Sequence, residues 1–505
     1  MKKENLKKNN YLLTGIFISY LVFNAVLLLR HEMWRDEINV WLMGRDLSVV
    51  ELFREIKYQG HPCLWYLLIM PFAKMGFPCR IMGIISFMIM GIGAWLYFFK
   101  APINNLVKTI TLFSPIFTYY YMEIARGYCL VAFIIILLAY YYGIRDKKPL
   151  FYGLLLGLLV QADTIALPVA GMISAMWLME SSWKSIKERN SRAVLNAVKG
   201  LWIPLLSLFV WILQFYNVSD SPVFAPQYSG VRELGRAVID YTYWILERLT
   251  GLGREEGLVL FVLLAIILIG ISIIKKTIWP MLVFVMTVLF QSVFSCVVYQ
   301  LNIFHFISLG FVYIWMCWVY VLNKEEQPEF LNTNGAVLKR ADDGLRLFAG
   351  VWLGIVAVFM FVQWNSSEET SSLENALNGS YSDGVYAAEY IENNLSTEEL
   401  IVTTDVAFAS TILGFAEDYT AYYAGSGKKT SYADWSEEQT QGITYEKLIH
   451  WIKASFPEKD SFVLIQCAAS CIKDFDSERS EVLYTTKVES AKQENYIIYR
   501  VFIPE

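Results

Sequence analysis

Charged and imidazole side chains stand between long apolar segments of this chain, at positions where they could carry out chemistry. Asp36 and Glu37 are adjacent and directly follow the first apolar segment. Ionised carboxylates are costly beside lipid, so two of them at this place indicate a function. A carboxylate at a membrane surface can act as a general base and take a proton from an acceptor hydroxyl or amine. The structural alternative is a solvated helix end, where the helix dipole favours acidic side chains.

A second group of polar residues follows the aromatic run at 117–121. Glu123 can orient an acceptor or help to hold a divalent cation, and Arg126 offers a planar, permanent charge suited to phosphate. The two residues are spaced i, i+3, so a simple ion pair between them is the alternative. Tyr128 closes the same motif. His61 belongs to the element that closes the first loop. Asp163 and His305 stand near the ends of apolar segments, where the alternatives are a satisfied polar residue in the bundle for Asp163 and a packing or interface residue for His305.

These residue types together suggest a class of substrate. A lipid-linked sugar phosphate has its tail in the bilayer, its phosphate at the interface and its sugar facing outward. A general base and a permanent cation at one face of a membrane match the needs of such a molecule.

The composition predicts a polytopic α-helical membrane protein. The chain of 505 residues is 56% hydrophobic and only 18% charged, which excludes an ordinary soluble protein. Apolar runs of roughly 17 to 20 residues are long enough to cross a bilayer as helices. We predict eleven crossings, at 11–29, 81–99, 104–121, 128–144, 149–163, 165–180, 199–216, 256–274, 278–297, 304–322 and 345–363.

The distribution of Lys and Arg predicts the orientation. Four lysines precede the first apolar run, which favours a cytoplasmic N-terminus and an uncleaved first helix. Eleven crossings then place the C-terminus outside, and most short-loop lysines fall on the cytoplasmic side. The segment 63–77 is short and contains Pro71, so we predict an interfacial helix there, in a first outer loop that also contains other short helices. All the polar residues named above then lie at the outer face of a plasma membrane.

The last part of the chain differs from the rest. Residues 366–505 are polar and alternate short β-rich runs with helical patterns, which predicts a small extracytoplasmic α/β domain after a transmembrane domain at 1–365. Cys467 and Cys471 could form a local disulfide in that domain. No structural metal site can be recognised in the sequence.

Three motifs in order resemble those of a known superfamily. Asp36 with Glu37, the element Gly60-His61-Pro62, and the segment 123–128 are similar to motifs of the C-type glycosyltransferases. The likeness covers about 1–365 and is greatest to the branch with protein O-mannosyltransferases and the aminoarabinose transferases of lipid A.

The resemblance implies an inverting membrane glycosyltransferase that uses a polyprenyl-phosphate sugar on the outer face. It implies that Asp36 is the catalytic base, with Glu37 beside it and Glu123 near the active site. Arg126 is implied to face phosphate, and His61 matches the loop-closing histidine. Four departures from the pattern stand out. Cys63 follows Pro62 where many relatives have a second Pro, and Gly127 replaces the usual Pro after the Arg. Asp163 precedes Thr164 where relatives have a Thr-His pair, and His305 stands where they often carry Arg. Metal use varies within the superfamily, so a divalent cation stays open.

Two other functions remain as alternatives. A transporter or flippase of lipid-linked glycans is the first, although charge here gathers at one interface and no repeat is visible. A non-catalytic scaffold that presents its outer domain to a partner is the second. The expected partners of the enzyme are the lipid bilayer, the lipid-linked donor and an outer acceptor of unknown kind, with no nucleic acid.

Overall fold

The chain is helical in its membrane region and forms a mixed sheet in its C-terminal domain. A computed structural model describes residues 2–216, 231–250, 252–275, 277–322, 335–366, 372–404, 408–436, 443–468, 471–472, 474–487 and 489–504. The helices of the membrane region are α1 (Lys2–Arg30), α2 (Arg35–Asp46), α3 (Val49–Glu55), α4 (Leu64–Lys74), α5 (Ile81–Lys100), α6 (Asn105–Leu112), α7 (Tyr128–Tyr140), α8 (Pro149–Ala162), α9 (Leu167–Glu188), α10 (Arg192–Phe215), α11 (Val231–Thr250), α12 (Arg254–Lys275), α13 (Trp279–Val297), α14 (Ile303–Leu322) and α15 (Gly335–Ser366).

Seven helices in the described part of the chain are long and apolar enough to cross a membrane. They are Asn10–Arg30, Ile81–Lys100, Thr164–Glu188, Arg192–Phe215, Glu255–Ile273, Trp279–Val297 and Ile303–Val321. The predicted multi-pass helical class is therefore confirmed, but the count of eleven is not. Helices α7 and α8 and the apolar part of α15 are shorter than a full span.

The predicted crossing at 104–121 is wrong as a continuous helix. Helix α6 ends at Leu112, and residues 113–127 follow as buried turns. Pro115 explains the break, because proline has no N–H to donate and disfavours a helical conformation at the residue before it. Tyr119 has a left-handed backbone, with φ of 63°. The break matters because it brings the segment with Glu123 and Arg126 into the interior as an irregular chain.

The first loop contains the short helices that the sequence predicts. Ser48 and Glu51 form the expected capping box at the start of α3, with Ser48 Oγ accepting from the Glu51 N–H at 3.3 Å and Glu51 Oε2 accepting from the Ser48 N–H at 2.8 Å. Helix α4 has 11 residues with Pro71 inside it, and it packs against α2. Eleven residues span about 16 Å, which is too short for a crossing. The predicted helix α11 is confirmed over Val231–Thr250, and the preceding residues 218–230 lie outside the described residues.

The C-terminal domain is a small α/β domain, as predicted. Its helices are α16 (Leu373–Asn378), α17 (Gly384–Asn394), α18 (Phe408–Phe415) and α19 (Tyr445–Ser455), and its strands are β1 (Ile401–Thr403), β2 (Ala421–Tyr423), β3 (Lys428–Thr430), β4 (Ser461–Cys467), β5 (Ser480–Thr485) and β6 (Tyr496–Phe502). The sheet order is β3-β2-β1-β4-β6-β5, with β1 parallel to β2 and β4 and the other pairs antiparallel.

Alternating residues of the central strand β4 explain the two cores of this domain. Val463 and Ile465 pack with α17 and α18 on one face, whereas Phe462 and Leu464 pack with α19 on the other. Short β2, β3 and α18 were not predicted. Cys467 and Cys471 do not form the suggested disulfide, and the Cys471 thiol instead donates to the Cys467 carbonyl at 3.4 Å.

Helix α18 brings this domain onto the membrane region. It packs against α2, the helix that carries Asp36, and Gly414 lies at the point of contact. A Cβ atom at Gly414 would overlap the side chain of Ile38 on α2, so only glycine fits this close approach.

Candidate active site

Glu37 joins the first motif to the second. Its Oε1 accepts a hydrogen bond from the Ala125 N–H at 2.6 Å, and its Oε2 accepts from the Trp34 N–H at 3.2 Å. The His31 ring is 2.8 Å from the same Oε2. Glu37 is fully buried and does not line the neighbouring cavity. These contacts give Glu37 a structural role. A buried carboxylate needs hydrogen-bond donors around it, and Glu37 receives them from the loops that contain Trp34 and Ala125.

Asp36 points the other way and meets Arg126. The distance from Asp36 Oδ2 to Arg126 Nη1 is 2.6 Å, and that from Oδ1 to Arg35 Nε is 3.7 Å. The Asp36 side chain is 26% exposed and lines the cavity. Burial alone would raise the pKa of Asp36, but the charges of Arg126 and Arg35 outweigh it and lower that pKa. Asp36 is therefore ionised at neutral pH.

A chain of contacts continues from Arg126 to Asp163. Arg126 Nη2 is 2.5 Å from His61 Nε2, and His61 Nδ1 is 2.9 Å from Asp163 Oδ2. Because a guanidinium only donates, His61 Nε2 accepts and the ring proton is assigned to Nδ1, which donates to the carboxylate. Asp163 Oδ1 also accepts from the Ile165 N–H at 3.0 Å. The sequence-predicted residues Asp36, Arg126, His61 and Asp163 thus form one connected series.

Tyr128 and His305 form a second contact beside this series. The Tyr128 hydroxyl is 3.0 Å from His305 Nε2, and His305 Nδ1 accepts from the Asn302 N–H at 3.0 Å. The proton of His305 is therefore assigned to Nε2, which donates to the hydroxyl. Both side chains are buried, and His305 reaches the cavity wall.

Glu123, like Glu37, is a predicted site residue that lies away from the cavity. It is fully buried, it does not line the cavity, and its two carboxylate oxygens have no hydrogen-bond partner among the described residues. An unpaired buried charge is costly, so this environment favours the protonated form. Its alternative as an i, i+3 partner of Arg126 is not realised, because Arg126 pairs with Asp36.

A polar cavity of about 300 Å³ surrounds the exposed side of this series. Five of the predicted site residues line it: Asp36, His61, Arg126, Asp163 and His305. Aromatic residues and residues of the C-terminal domain complete the lining. The lining residues that sequence reasoning missed include Tyr58, Gln59, Tyr299, Asn302, Ser410, Ala433 and Trp435.

The C-terminal domain supplies three of those lining residues: Ser410, Ala433 and Trp435. The segment with Ala433 is fixed to α2, because the Ala433 N–H donates to Asn39 Oδ1 at 2.7 Å and the Asn39 amide donates back to the Ala433 carbonyl at 3.0 Å. Trp435 has a left-handed backbone with φ of 56°. No motif signalled these residues, since they lie hundreds of positions from Asp36 in the sequence.

Lys492 of the same domain lies close to the carboxylate. Its ammonium is 4.5 Å from the ring centres of both Trp34 and Phe304 and 5.3 Å from that of Tyr381. Burial lowers the pKa of Lys492 to about 8, although the nearby charge of Asp36 opposes the shift. The described residues contain no group of three or more His, Cys, Asp or Glu side chains that could hold a metal ion. The use of a divalent cation stays an open prediction.

Comparison with known proteins finds likeness in structure rather than in sequence. No family model matches the chain, and no curated protein matches it. The crystal structure of ArnT from Cupriavidus metallidurans in the apo state is similar, with a TM-score of 0.53 and 10% identity over 98% of both chains. That of the same protein bound to undecaprenyl phosphate has a TM-score of 0.51 and 9% identity over 97% of both chains.

The two likenesses cover the membrane region and the C-terminal domain together. At such low identity they show the fold alone, which is similar to that of ArnT. The fold that the three motifs predicted is therefore confirmed.

Proposed function

We propose that this chain is an integral-membrane glycosyltransferase that moves a sugar from a polyprenyl-phosphate donor to an acceptor at the outer face of the membrane. The observation that carries the proposal is the contact between Asp36 and Arg126 at the wall of a polar cavity. A carboxylate base and a permanent cation stand 2.6 Å apart there. The fold supports it, because a similar structure, that of ArnT, contains undecaprenyl phosphate.

The proposed reaction is a single displacement. The acceptor hydroxyl or amine attacks the anomeric carbon of the donor sugar while Asp36 takes its proton. The bond from the anomeric carbon to the phosphate oxygen breaks, and its electron pair leaves with the polyprenyl phosphate. Because attack and departure occur on opposite faces of the sugar, the anomeric configuration inverts.

Arg126 has two roles in this proposal. Its guanidinium binds the donor phosphate and stabilises the negative charge that grows on the leaving group. At rest the same guanidinium lowers the pKa of Asp36 and so weakens it as a base. A phosphate bound to Arg126 offsets that positive charge, so donor binding raises the basicity of Asp36 just before it is needed.

His61 and Asp163 orient the guanidinium. The neutral His61 ring accepts from Arg126 and donates to Asp163, which fixes the side chain in one rotamer. His305 lines the cavity beside it and contacts the buried Tyr128 hydroxyl, and contact of either residue with the donor stays a prediction. Glu37 holds the two motifs together, and its direct participation in catalysis stays a prediction, as does that of Glu123.

The orientation in the membrane is part of the proposal. The cytoplasmic N-terminus and the outer C-terminal domain are supported by the lysine distribution. Helix α15 ends at Ser366, next to the predicted boundary between the regions at 365 and 366. In a protein whose exposed Cys471 is replaced by serine, accessibility of single engineered cysteines at 8 and 459 to an impermeant thiol reagent tests it, with labelling expected at 459 in intact cells.

A transfer assay tests the function. Purified protein in lipid nanodiscs is given a panel of radiolabelled polyprenyl-phosphate sugars with a crude cell-envelope acceptor fraction. Asp36→Asn is run beside Asp476→Asn, a matched control that alters an exposed pair with Arg479 at 3.6 Å. We expect donor-dependent labelling that Asp36→Asn abolishes and the control retains.

Two other results have defined meanings. Labelling that persists in Asp36→Asn contradicts Asp36 as the base. No labelling with any donor, together with flipping of a fluorescent lipid-linked glycan in sealed vesicles, establishes the alternative of a transporter or flippase.

A further inference from the structure

Two carboxylates join the membrane region to the C-terminal domain, one from each region. Glu32 lies at the start of the first loop and accepts from the Tyr381 N–H at 2.6 Å and from the Tyr386 hydroxyl at 2.8 Å. In the opposite direction, Glu494 of the C-terminal domain accepts from the Arg35 N–H at 3.0 Å. Each region therefore supplies the acceptor for backbone donors of the other.

The Glu494 contact falls on the helix of the candidate base. Arg35 is the first residue of α2, where an N–H has no partner inside the helix. A carboxylate at this end is favoured by the helix dipole and satisfies the N–H. Asp36 is the next residue, so the hydrogen bond from Arg35 fixes the backbone directly before the candidate base.

Glu494 is itself held rigidly. It is fully buried, and its second oxygen accepts from the Ser382 hydroxyl at 2.5 Å and from the Thr411 hydroxyl at 3.3 Å. The turn that carries Glu494 is fixed to the segment around Tyr381, because the Lys492 N–H donates to the Tyr381 carbonyl at 3.1 Å. Because these contacts hold both the Glu494 side chain and its backbone turn, the Arg35 N–H bonds to an acceptor at a fixed position, and the start of α2 is fixed with it.

We propose that Glu494 is a positioning residue that holds the start of α2, and with it Asp36, in the arrangement that transfer requires. The C-terminal domain is then part of the catalytic apparatus rather than an appendage that only collects acceptor. This inference rests on the proposed transferase function.

The surroundings of Glu494 give the contact a pH dependence. Burial raises the pKa of Glu494 to about 7, against the opposing effect of the Ser382 and Arg35 donors. The charged and titratable groups that face it are Arg35 and Asp36 on α2 and Lys492 and Tyr496 in its own domain. As the pH rises through 7 the carboxyl ionises, which strengthens its hydrogen bond to the helix N-terminus and places a second negative charge near Asp36.

Three variants test this role: Glu494→Ala, Glu494→Gln and the control Glu399→Gln. Glu399 is a matched carboxylate of the same domain, paired with Arg500 at 2.8 Å and remote from α2. We expect Glu494→Ala to lower kcat about tenfold, because a misplaced base raises the activation free energy, with the donor KM within about twofold of the parent. Glu494→Gln keeps an oxygen for the Arg35 N–H and restores most of kcat, but it lacks the transition near pH 7 in the kcat profile. Unchanged kcat in Glu494→Ala overturns the proposal.

A second measurement does not depend on activity. Hydrogen–deuterium exchange of the peptide covering 35–46 reports directly on the start of α2. Faster exchange there in Glu494→Ala than in Glu399→Gln is expected, and equal exchange overturns the inference even if no donor has been found. If the parent protein transfers sugar and the kcat of Glu494→Ala equals that of the parent, the positioning role alone is rejected. If the parent protein transfers no sugar from any donor, the proposed function is rejected.

Discussion

The membrane region and the C-terminal domain build the same cavity by different means. The membrane region contributes charged groups from short motifs, such as Asp36, Arg126 and His61, which contact one another directly. The C-terminal domain contributes Trp435 to the wall and Glu494 to the end of α2. The groups proposed to react therefore come from the membrane region alone, whereas the groups that position them and shape the wall come from both parts of the chain. Changes in the first set are expected to act on chemistry, and changes in the second on position and binding.

The largest effect is expected from Asp36→Asn. The amide is nearly the same size but cannot accept a proton, and a general base contributes about 10²- to 10⁴-fold to a rate. We expect kcat to fall about 10³-fold with unchanged insertion and thermal stability. Single-turnover transfer from a labelled donor measures the rate. A fall of less than tenfold would remove Asp36 from the role of base.

The next largest effect is expected from Arg126→Ala. Loss of charge-assisted hydrogen bonds to phosphate, each worth about 1.5–3 kcal/mol, lowers kcat/KM for the donor by about 10- to 100-fold. Arg126 also lowers the pKa of Asp36, so its removal raises that pKa and moves the acidic limb of the kcat/KM profile to higher pH. The pH profile of transfer at low donor concentration checks the sign. A limb that stays in place would show that the contact does not govern the ionisation of Asp36.

Glu37→Ala sharpens the contrast between the two adjacent acids. It leaves the N–H groups of Trp34 and Ala125 without their acceptor, and each unsatisfied buried donor costs about 1–3 kcal/mol. We expect the thermal unfolding midpoint of Glu37→Ala in detergent to be lower than that of the parent, whereas that of Asp36→Asn is expected to be unchanged. Glu37→Gln, which keeps one oxygen as an acceptor, is the control and is expected to lose less. A parent-like midpoint in both variants would contradict the structural role.

The smallest effect is expected from Trp435→Ala. An aromatic face at a sugar site is worth about 1 kcal/mol, so KM for the substrate that touches it rises roughly fivefold while kcat changes little. Separate titrations of donor and acceptor show which substrate is affected. Trp435→Phe serves as the control because it keeps an aromatic face. Unchanged KM for both substrates would limit the C-terminal domain to positioning.

The sequence contained enough to predict the fold and five of the residues that line the cavity. Asp36, His61 and Arg126 belong to short motifs whose order and residue types are visible without coordinates. The helix break near Pro115 was also visible, because proline ends a helical hydrogen-bond pattern. The apolar residues of 104–121 nevertheless suggest a crossing, because hydrophobicity reports burial as well as spanning.

Other parts of the site could not be predicted from the sequence. Glu123 lies in a family-like motif, but which way its side chain turns depends on the irregular path of residues 113–127. Trp435 and Glu494 reach the cavity and α2 through the docking of the C-terminal domain, in which α18 and the hydrogen bonds between Ala433 and Asn39 take part. Gly414 by itself gives no sign of which helix it approaches. Contacts between residues hundreds of positions apart leave no local pattern.

A structure of the protein with bound undecaprenyl phosphate tests the central claim most directly. We expect the phosphate to lie in the polar cavity within hydrogen-bond distance of the Arg126 guanidinium. The contact of 2.6 Å between Arg126 and Asp36 should then lengthen, so that the carboxylate faces the space for the acceptor. A phosphate bound elsewhere, with the pair of Asp36 and Arg126 unchanged, would contradict the account.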